Sequence, residues 1–271
     1  MRSRPPDISD AHVLSFTLVR CRFVKAPLAA LSRKPESLSH AQAASMTLPW
    51  LCAFITVDTL AHVKAGDNVI IIGMSCASCP RTQYLGVHFT GASGGIGSAA
   101  AQLCHARGAR IFGTYTSLAK ATPPPYVTPI ELASNTAIRD AIAKEGLQNK
   151  IDVLLDCAGY EQPFNDAVLT MTPNGTGRVV VMAVHAKDGL FPINLRAFYT
   201  KALTLKGMSS SILGSAEVKA FLDMLAANID NGTFQGPQAV HPVDIQDMSA
   251  VTGALKEVLT RSSHVRSIII P

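Results

Sequence analysis

The sequence predicts an α/β fold built on a doubly wound parallel sheet. Three observations point to it. Val69-Ile70-Ile71-Ile72 is a β-branched run without polar alternation, as a strand covered on both faces requires. Gly94-Gly95-Ile96-Gly97 opens an alanine-rich helix over 98–106. Short apolar runs then alternate with segments of helical period to the end of the chain, the pattern of helices crossing between parallel strands.

Residues 1 to about 24 show no clear period, and 23–31 read as an apolar strand. Lys34-Pro35-Glu36-Ser37-Leu38-Ser39 is a turn leading into a helix, with Ser39 as the candidate cap and Gln42-Ala43-Ala44 as good helix formers. Over 47–63 the apolar residues Leu51, Phe54, Ile55, Val57, Leu60 and Ala61 keep helical spacing until Ala65-Gly66-Asp67 breaks it. The strand at 69–73 is followed by a block, 74–91, with no period. A second strand is expected at 110–115, a loop at Pro123-Pro124-Pro125, a helix at 137–145, a strand at 153–157 and a helix-like stretch at 163–171. The turn Asn174-Gly175-Thr176-Gly177 precedes a strand at 178–182, and another strand spans 203–207. A long amphipathic helix, 215–231, carries Val218, Phe221, Leu222 and Leu225 on one face. A last helix from about 247 to 259 and a strand at 265–270 end the chain.

Apolar residues make up 48% of the 271 and charged residues 16%, which suits a sizeable core and not a disordered chain. A net charge of +5 without a long basic run fits an anionic small molecule and is too weak an excess for nucleic acid. The six cysteines, at 21, 52, 76, 79, 104 and 157, are scattered, so reduced thiols are expected. Cys76 and Cys79 form a single C-x-x-C with no two further ligands nearby, so no metal is expected. No apolar stretch approaches the roughly 20 residues needed to span a bilayer. Asp7, Asp10 and His12 follow the basic start before any apolar block, so no secretory signal is read and a cytoplasmic location is expected.

The chemistry lies in Gly91-Ala92-Ser93-Gly94-Gly95-Ile96-Gly97. A bound dinucleotide needs a tight strand-to-helix turn, glycine where backbone meets pyrophosphate, and small residues where helix meets sheet. The helix N-terminus adds free N–H groups and the positive end of its dipole. Ser93, Gly94, Gly95, Ile96 and Gly97 answer the first need and Ala99, Ala100 and Ala101 the last, giving a Rossmann sheet. The second strand bears on the cofactor. NAD enzymes place an acid at its end for the ribose 2′-hydroxyl, but here Thr116, Ser117 and Lys120 stand there and no acid comes before Glu131. That set suits a 2′-phosphate, hence NADP(H).

These residues resemble the quinone-oxidoreductase and enoyl-reductase-like, zinc-independent branch of the medium-chain dehydrogenase/reductase superfamily, which includes enoyl reductases of fungal polyketide pathways. The resemblance runs from about residue 23 to the C-terminus. It rests on K-P-E-S-L-S-H-A-Q-A-A at 34–44, L-P-W-L at 48–51, V-K-A-G-D-N-V at 63–69, A-S-G-G-I-G at 92–97, D-C-A-G at 156–159 and G-R-V-V-V-M at 177–182. It implies that Gly94, Gly95, Ile96 and Gly97 hold the pyrophosphate and that Thr116, Ser117 and Lys120 face the 2′-phosphate. It also implies that Cys157, Ala158 and Gly159 lie along the ribose, and that Ala183, Val184 and His185, with Met208 and Ser209, reach the nicotinamide. His185 is weighed as a proton donor, but nothing in the sequence orients it, and the catalytic residues stay open. The activity implied is hydride transfer from NADPH to an activated alkene (enoyl) or a quinone, on a small-molecule substrate, in a homodimer joined through a sheet edge.

Two features depart from the family. Its substrate-side, GroES-like β domain is present only as a remnant near 23–38. The expected domains are therefore 1–46 (extension and remnant), 47–245 (Rossmann, with 74–91 as an insertion) and 246–271 (helix and strand). The 74–91 block also parts the first strand from its glycine turn, and deleting it restores V-I-I-I-G-A-S-G-G-I-G. It reads as a retained intron, since codons for Gly73-Met74-Ser75 can spell a splice donor and those for Thr90-Gly91 an acceptor. The alternatives are a long surface loop or a first strand shifted to 87–90.

Two rival readings remain. T-G-A-S-G-G-I-G at 90–97 and C-A-G at 157–159 echo the short-chain dehydrogenases, whose chemistry needs a tyrosine with a lysine four residues on. None of Tyr84, Tyr115, Tyr126, Tyr160 or Tyr199 has that partner. The other rival is a nucleotide-binding remnant without catalysis.

Overall fold

The computed structural model describes residues 31–75, 92–184, 188–237, 240–244, 246–260 and 266–270. Helix α1 spans His40–Phe54 and runs on into a π-helical stretch, Ile55–Leu60. The Ser39 hydroxyl accepts the Gln42 N–H while the Gln42 side chain accepts the Ser39 N–H, a reciprocal cap. Strands β1 (Asn68–Ser75), β2 (Arg110–Tyr115), β3 (Val127–Glu131), β4 (Val153–Asp156), β5 (Arg178–Val181) and β6 (Thr204–Gly207) form one sheet. Their order is β3-β2-β1-β4-β5-β6, and every pair is parallel. Helices α2 (Ala92–Ala106), α3 (Ala137–Lys144), α4 (Glu161–Val168) and α5 (Leu195–Lys201) connect the strands, and α6 (Ser215–Asp230) follows β6.

The β-branched run explains the two-sided core. Side chains alternate along a strand, so Val69 and Ile71 pack into one cluster with α1, α2 and α6. Ile70 and Ile72 pack into the other, with Phe112, Ile138, Ile142 and Phe164. All four are buried. The strand between β2 and β4 is therefore 68–75; residues 76–91, with the alternative strand at 87–90 and most of the inserted block, lie outside the described residues, as do 23–30.

Two strands and one α-helix escaped the sequence reading. Strand β3 contains Pro129, which a central strand would reject but an edge strand accepts, because its outer N–H needs no partner. Strand β7 (Val240–Asp244) contains Pro242 and pairs only with β8 (Arg266–Ile270), in a separate parallel sheet. These two strands lie on either side of the boundary expected at 245/246; α7 (Met248–Thr260) joins them, and both pack against α1. The third is α5, seven residues long and too short to show a period; the Asn194 side chain caps it by accepting the Ala197 N–H.

The expectation about long apolar stretches needs one correction. The helix over 40–60 has 21 residues and a mean hydropathy of 1.3, enough by length and composition to cross a bilayer. Half of it is buried, with Trp50, Leu51, Ala53, Ile55 and Val57 all in the core, and that burial is what its apolarity serves here.

Candidate functional site

In this strand order the chain turns outward in opposite directions from β1 and β4, so the carboxyl ends of those neighbours open a crevice between diverging connections. Backbone hydrogen bonds extend the ladder past the strand ends. The Cys157 N–H donates to the Ile72 carbonyl (3.0 Å), Met182 to Asp156 (3.0 Å) and Met208 to Val181 (2.9 Å). One edge of the sheet thus brings together Gly73, Tyr115 to Ser117, Asp156 to Gly159, Met182 to Val184 and Gly207 to Ser209.

On the pyrophosphate side, β1 keeps register with β2 through Ile71 opposite Gly113, then slips so that Ser75 faces Tyr115. Gly73 sits in the slip at φ +92°, its N–H donating to the Thr114 hydroxyl (3.1 Å). A Cβ there would stand 3.1 Å from the Ala158 Cβ. The backbone leaves regular pairing where the restored motif would begin its turn. Ser93, Gly94, Gly95, Ile96 and Gly97 occupy the start of α2, whose first turn holds no acid. The Ile96 side chain is buried in the core beside Ala99 and Ala100, so any contact with phosphate would come from its backbone.

On the adenosine side, Thr116 is exposed and Ser117 half-buried, ahead of a single turn of 3₁₀ helix at Leu118–Lys120. The Lys120 side chain lies outside the described residues. Sequence reasoning dismissed Glu131 as too far along the chain. The sheet brings it back: Glu131 pairs with Tyr115 across β2 and β3, and its carboxylate accepts the Leu118 N–H (3.1 Å). Its signal was hidden behind β3, the strand that Pro129 masked. The Tyr115 ring is buried, its hydroxyl has no partner among the described residues, and burial with Tyr126 nearby raises its pKa to about 12.

On the nicotinamide side, Ala183 is half-buried and Val184 exposed. Met208 packs partly against the core, and the Ser209 hydroxyl lies 2.8 Å from that of Ser211. His185 lies outside the described residues. Cys157 is placed differently from the role carried over for it. Its thiol is turned into the core near Cys52 and Cys104, and burial pushes its pKa far up, so only its backbone belongs to the edge. Gly159 sits at φ +71°, and a Cβ there would stand 2.4 Å from the Ala183 carbonyl oxygen and 2.7 Å from the Val184 Cα.

The comparisons agree with this geometry. Residues 95–227 match a family described as zinc-binding dehydrogenase. The quinone oxidoreductase of Sus scrofa is 26% identical over 215 residues, 78% of this chain and 57% of that protein. These matches support a medium-chain dehydrogenase/reductase of the quinone-oxidoreductase-like branch. The chain spans little more than half the length of that relative. Among solved structures, the CurK enoyl reductase aligns at a TM-score of 0.63 (17% identity; 90% of this chain, 67% of that one). Mycobacterial Rv1454c, solved in complex with NADPH, aligns at 0.68 (16% identity; 91% and 69%). At those identities the likeness is one of fold.

Two groups implied by the superfamily can be tested against the residues. For zinc, no three His, Cys, Asp or Glu side chains stand together as ligands among the described residues, and Cys76 and Cys79 lie outside them. A dinucleotide does fit, with a crevice at the β1/β4 switch, an acid-free start to α2 and close-packed backbone at Gly73 and Gly159.

Proposed function

We propose that this chain is an NADPH-dependent oxidoreductase acting on an activated alkene (enoyl) or a quinone. One observation carries the cofactor: β2 ends at Tyr115 and is followed by Thr116 and Ser117, hydroxyl groups where an NAD enzyme places its acid. The bound dihydronicotinamide supplies the hydride. The protein's part is to hold pyrophosphate on the N–H groups of Gly94 to Gly97, the 2′-phosphate on Thr116, Ser117 and Lys120, and the nicotinamide between Ala183-Val184 and Met208-Ser209.

The relatives' names support the acceptor class, and the NADPH complex among the structural neighbours supports the cofactor. A role in fungal secondary metabolism, a cytoplasmic location and a homodimer joined through the outermost strand β6 belong to the same proposal; Leu205 on that strand is exposed. So does the division into a remnant over 1–46, a Rossmann domain over 47–245 and a C-terminal piece over 246–271.

Calorimetric titration with NADPH and then NADH, followed by enone and quinone assays, tests the reading. NADPH bound at least about tenfold more tightly, with turnover of either acceptor, is the expected result. Equal binding of both cofactors overturns the NADPH assignment. NADPH binding without turnover would favour a second reading, a nucleotide-binding protein without catalysis.

A further inference from the structure

Three aspartates are buried in the described fold, and they are treated differently. Asp67 is paired with Arg178 at 2.9 Å, and Asp166 with Arg139. Asp156 is the most deeply buried of the three, at 0% exposure, and no ion pair is formed by it among the described residues. Its Oδ1 accepts two backbone N–H groups, from Ala158 (3.0 Å) and Gly159 (2.9 Å), while its Oδ2 is buried without a partner among the described residues. Burial of an uncompensated carboxylate is costly, and an apolar side chain would avoid that cost. What the carboxylate supplies is geometry. It closes the turn 156–159, and that turn touches both sides of the crevice. The Ala158 Cβ packs against Gly73 on the pyrophosphate side, and the Gly159 backbone lies against the Ala183 carbonyl and Val184 on the nicotinamide side.

We propose that Asp156 is the positioning residue of the nucleotide crevice: by pinning the N–H groups of Ala158 and Gly159 it sets the spacing between Gly73 and Ala183-Val184. Asp156 touches neither cofactor nor substrate; it acts through the turn. The inference rests on the nucleotide reading above.

The test compares Asp156→Asn with Asp156→Ala in the full chain, using NADPH dissociation constants and the hydrogen exchange of the 158 and 159 amides. Asparagine keeps the Oδ1 acceptor. It is expected to hold the dissociation constant within about twofold of wild type and to keep both amides protected. Alanine leaves two buried donors unmet and is expected to weaken NADPH binding about tenfold in folded protein, with both amides exchanging faster. A residue that only stabilised the fold would lower the melting temperature of the alanine variant and leave the dissociation constant of the folded fraction unchanged, which overturns the proposal. So does an asparagine variant as weak as alanine. If the alanine variant does not fold, the asparagine variant decides: wild-type affinity and protection uphold the pinning, and loss of either refutes it. If wild type binds neither NADPH nor NADH, the nucleotide reading fails, and amide protection still tests the pinning by itself.

Discussion

The two halves of the sheet edge are built on different terms. Across β4 and β5 the contacts are buried: Asp156 bonds its own turn, that turn lies against Ala183, and no side chain between 156 and 159 is more than half-exposed. Across β2 and β3 the contacts lie at the surface, with exposed Thr116 facing a loop that one exposed carboxylate, Glu131, ties to its neighbour. The first half is a rigid wall whose shape is costly to change. The second is a rim where charge can be exchanged cheaply. In such an arrangement the wall governs whether a dinucleotide binds and the rim governs which one.

The largest way to break this contrast is Gly159→Ala. The new Cβ would meet backbone at 2.4 Å in a left-handed conformation, so the wall itself must shift. A loss of about 4 kcal/mol in denaturant unfolding, or failure to fold, is expected; a loss under about 1 kcal/mol would show that the wall yields.

The next effect is a dependence of stability on pH. Burial raises the Asp156 pKa from 3.8 to about 6, against the opposing pull of the Gly159 and Ala158 N–H groups. In the unfolded chain the carboxyl ionises first, so folding is favoured while both states are protonated and loses ground as pH rises from about 4 to 6. This group should remove up to ~3 kcal/mol of stability across that window and nothing more above it. Unfolding free energies at pH 4 and 7 for wild type and Asp156→Asn measure it. Parallel pH dependence in the two proteins would assign the change to other groups.

A smaller effect is expected at Gly73→Ala. Its Cβ would face the Ala158 side chain at 3.1 Å, and the strain of φ +92° adds to that contact. About 2 kcal/mol is expected from a thermal melt, with NADPH affinity reduced in the folded protein; unchanged affinity would remove Gly73 from the crevice. The smallest effect sharpens the contrast on the rim side. Glu131→Gln keeps an oxygen for the Leu118 N–H and removes a negative charge beside the loop assigned to the 2′-phosphate. NADPH should bind about threefold more tightly while NADH is unmoved. An equal change for both cofactors would place the 2′-phosphate elsewhere.

Much of the scaffold was legible because its signals are local. The run Val69 to Ile72 announces a strand with both faces buried, Ser39 and Gln42 announce a helix start, and Arg110 to Tyr115 was read to its final residue. The misses have local causes too: Pro129 and Pro242 hide strands whose positions outside the sheet interior make proline harmless, and α5 is shorter than two periods. In the site, the glycine-rich start of α2 is visible as composition, whereas the resemblance that puts Cys157 along the ribose does not say that strand alternation turns its thiol into the core.

By itself the sequence determined most of the alternation of strands and helices, the two faces of β1 and the family resemblance, because periodicity and local motif are properties of neighbours along the chain. Only the tertiary structure decided that Glu131 returns to the end of β2, that Gly159 lies against Ala183, and that Asp156 is the buried carboxylate with no arginine among the described residues. Each of those depends on which distant segments become neighbours, and pairing across a sheet is set by the packing of both its faces together, which no single stretch of chain encodes.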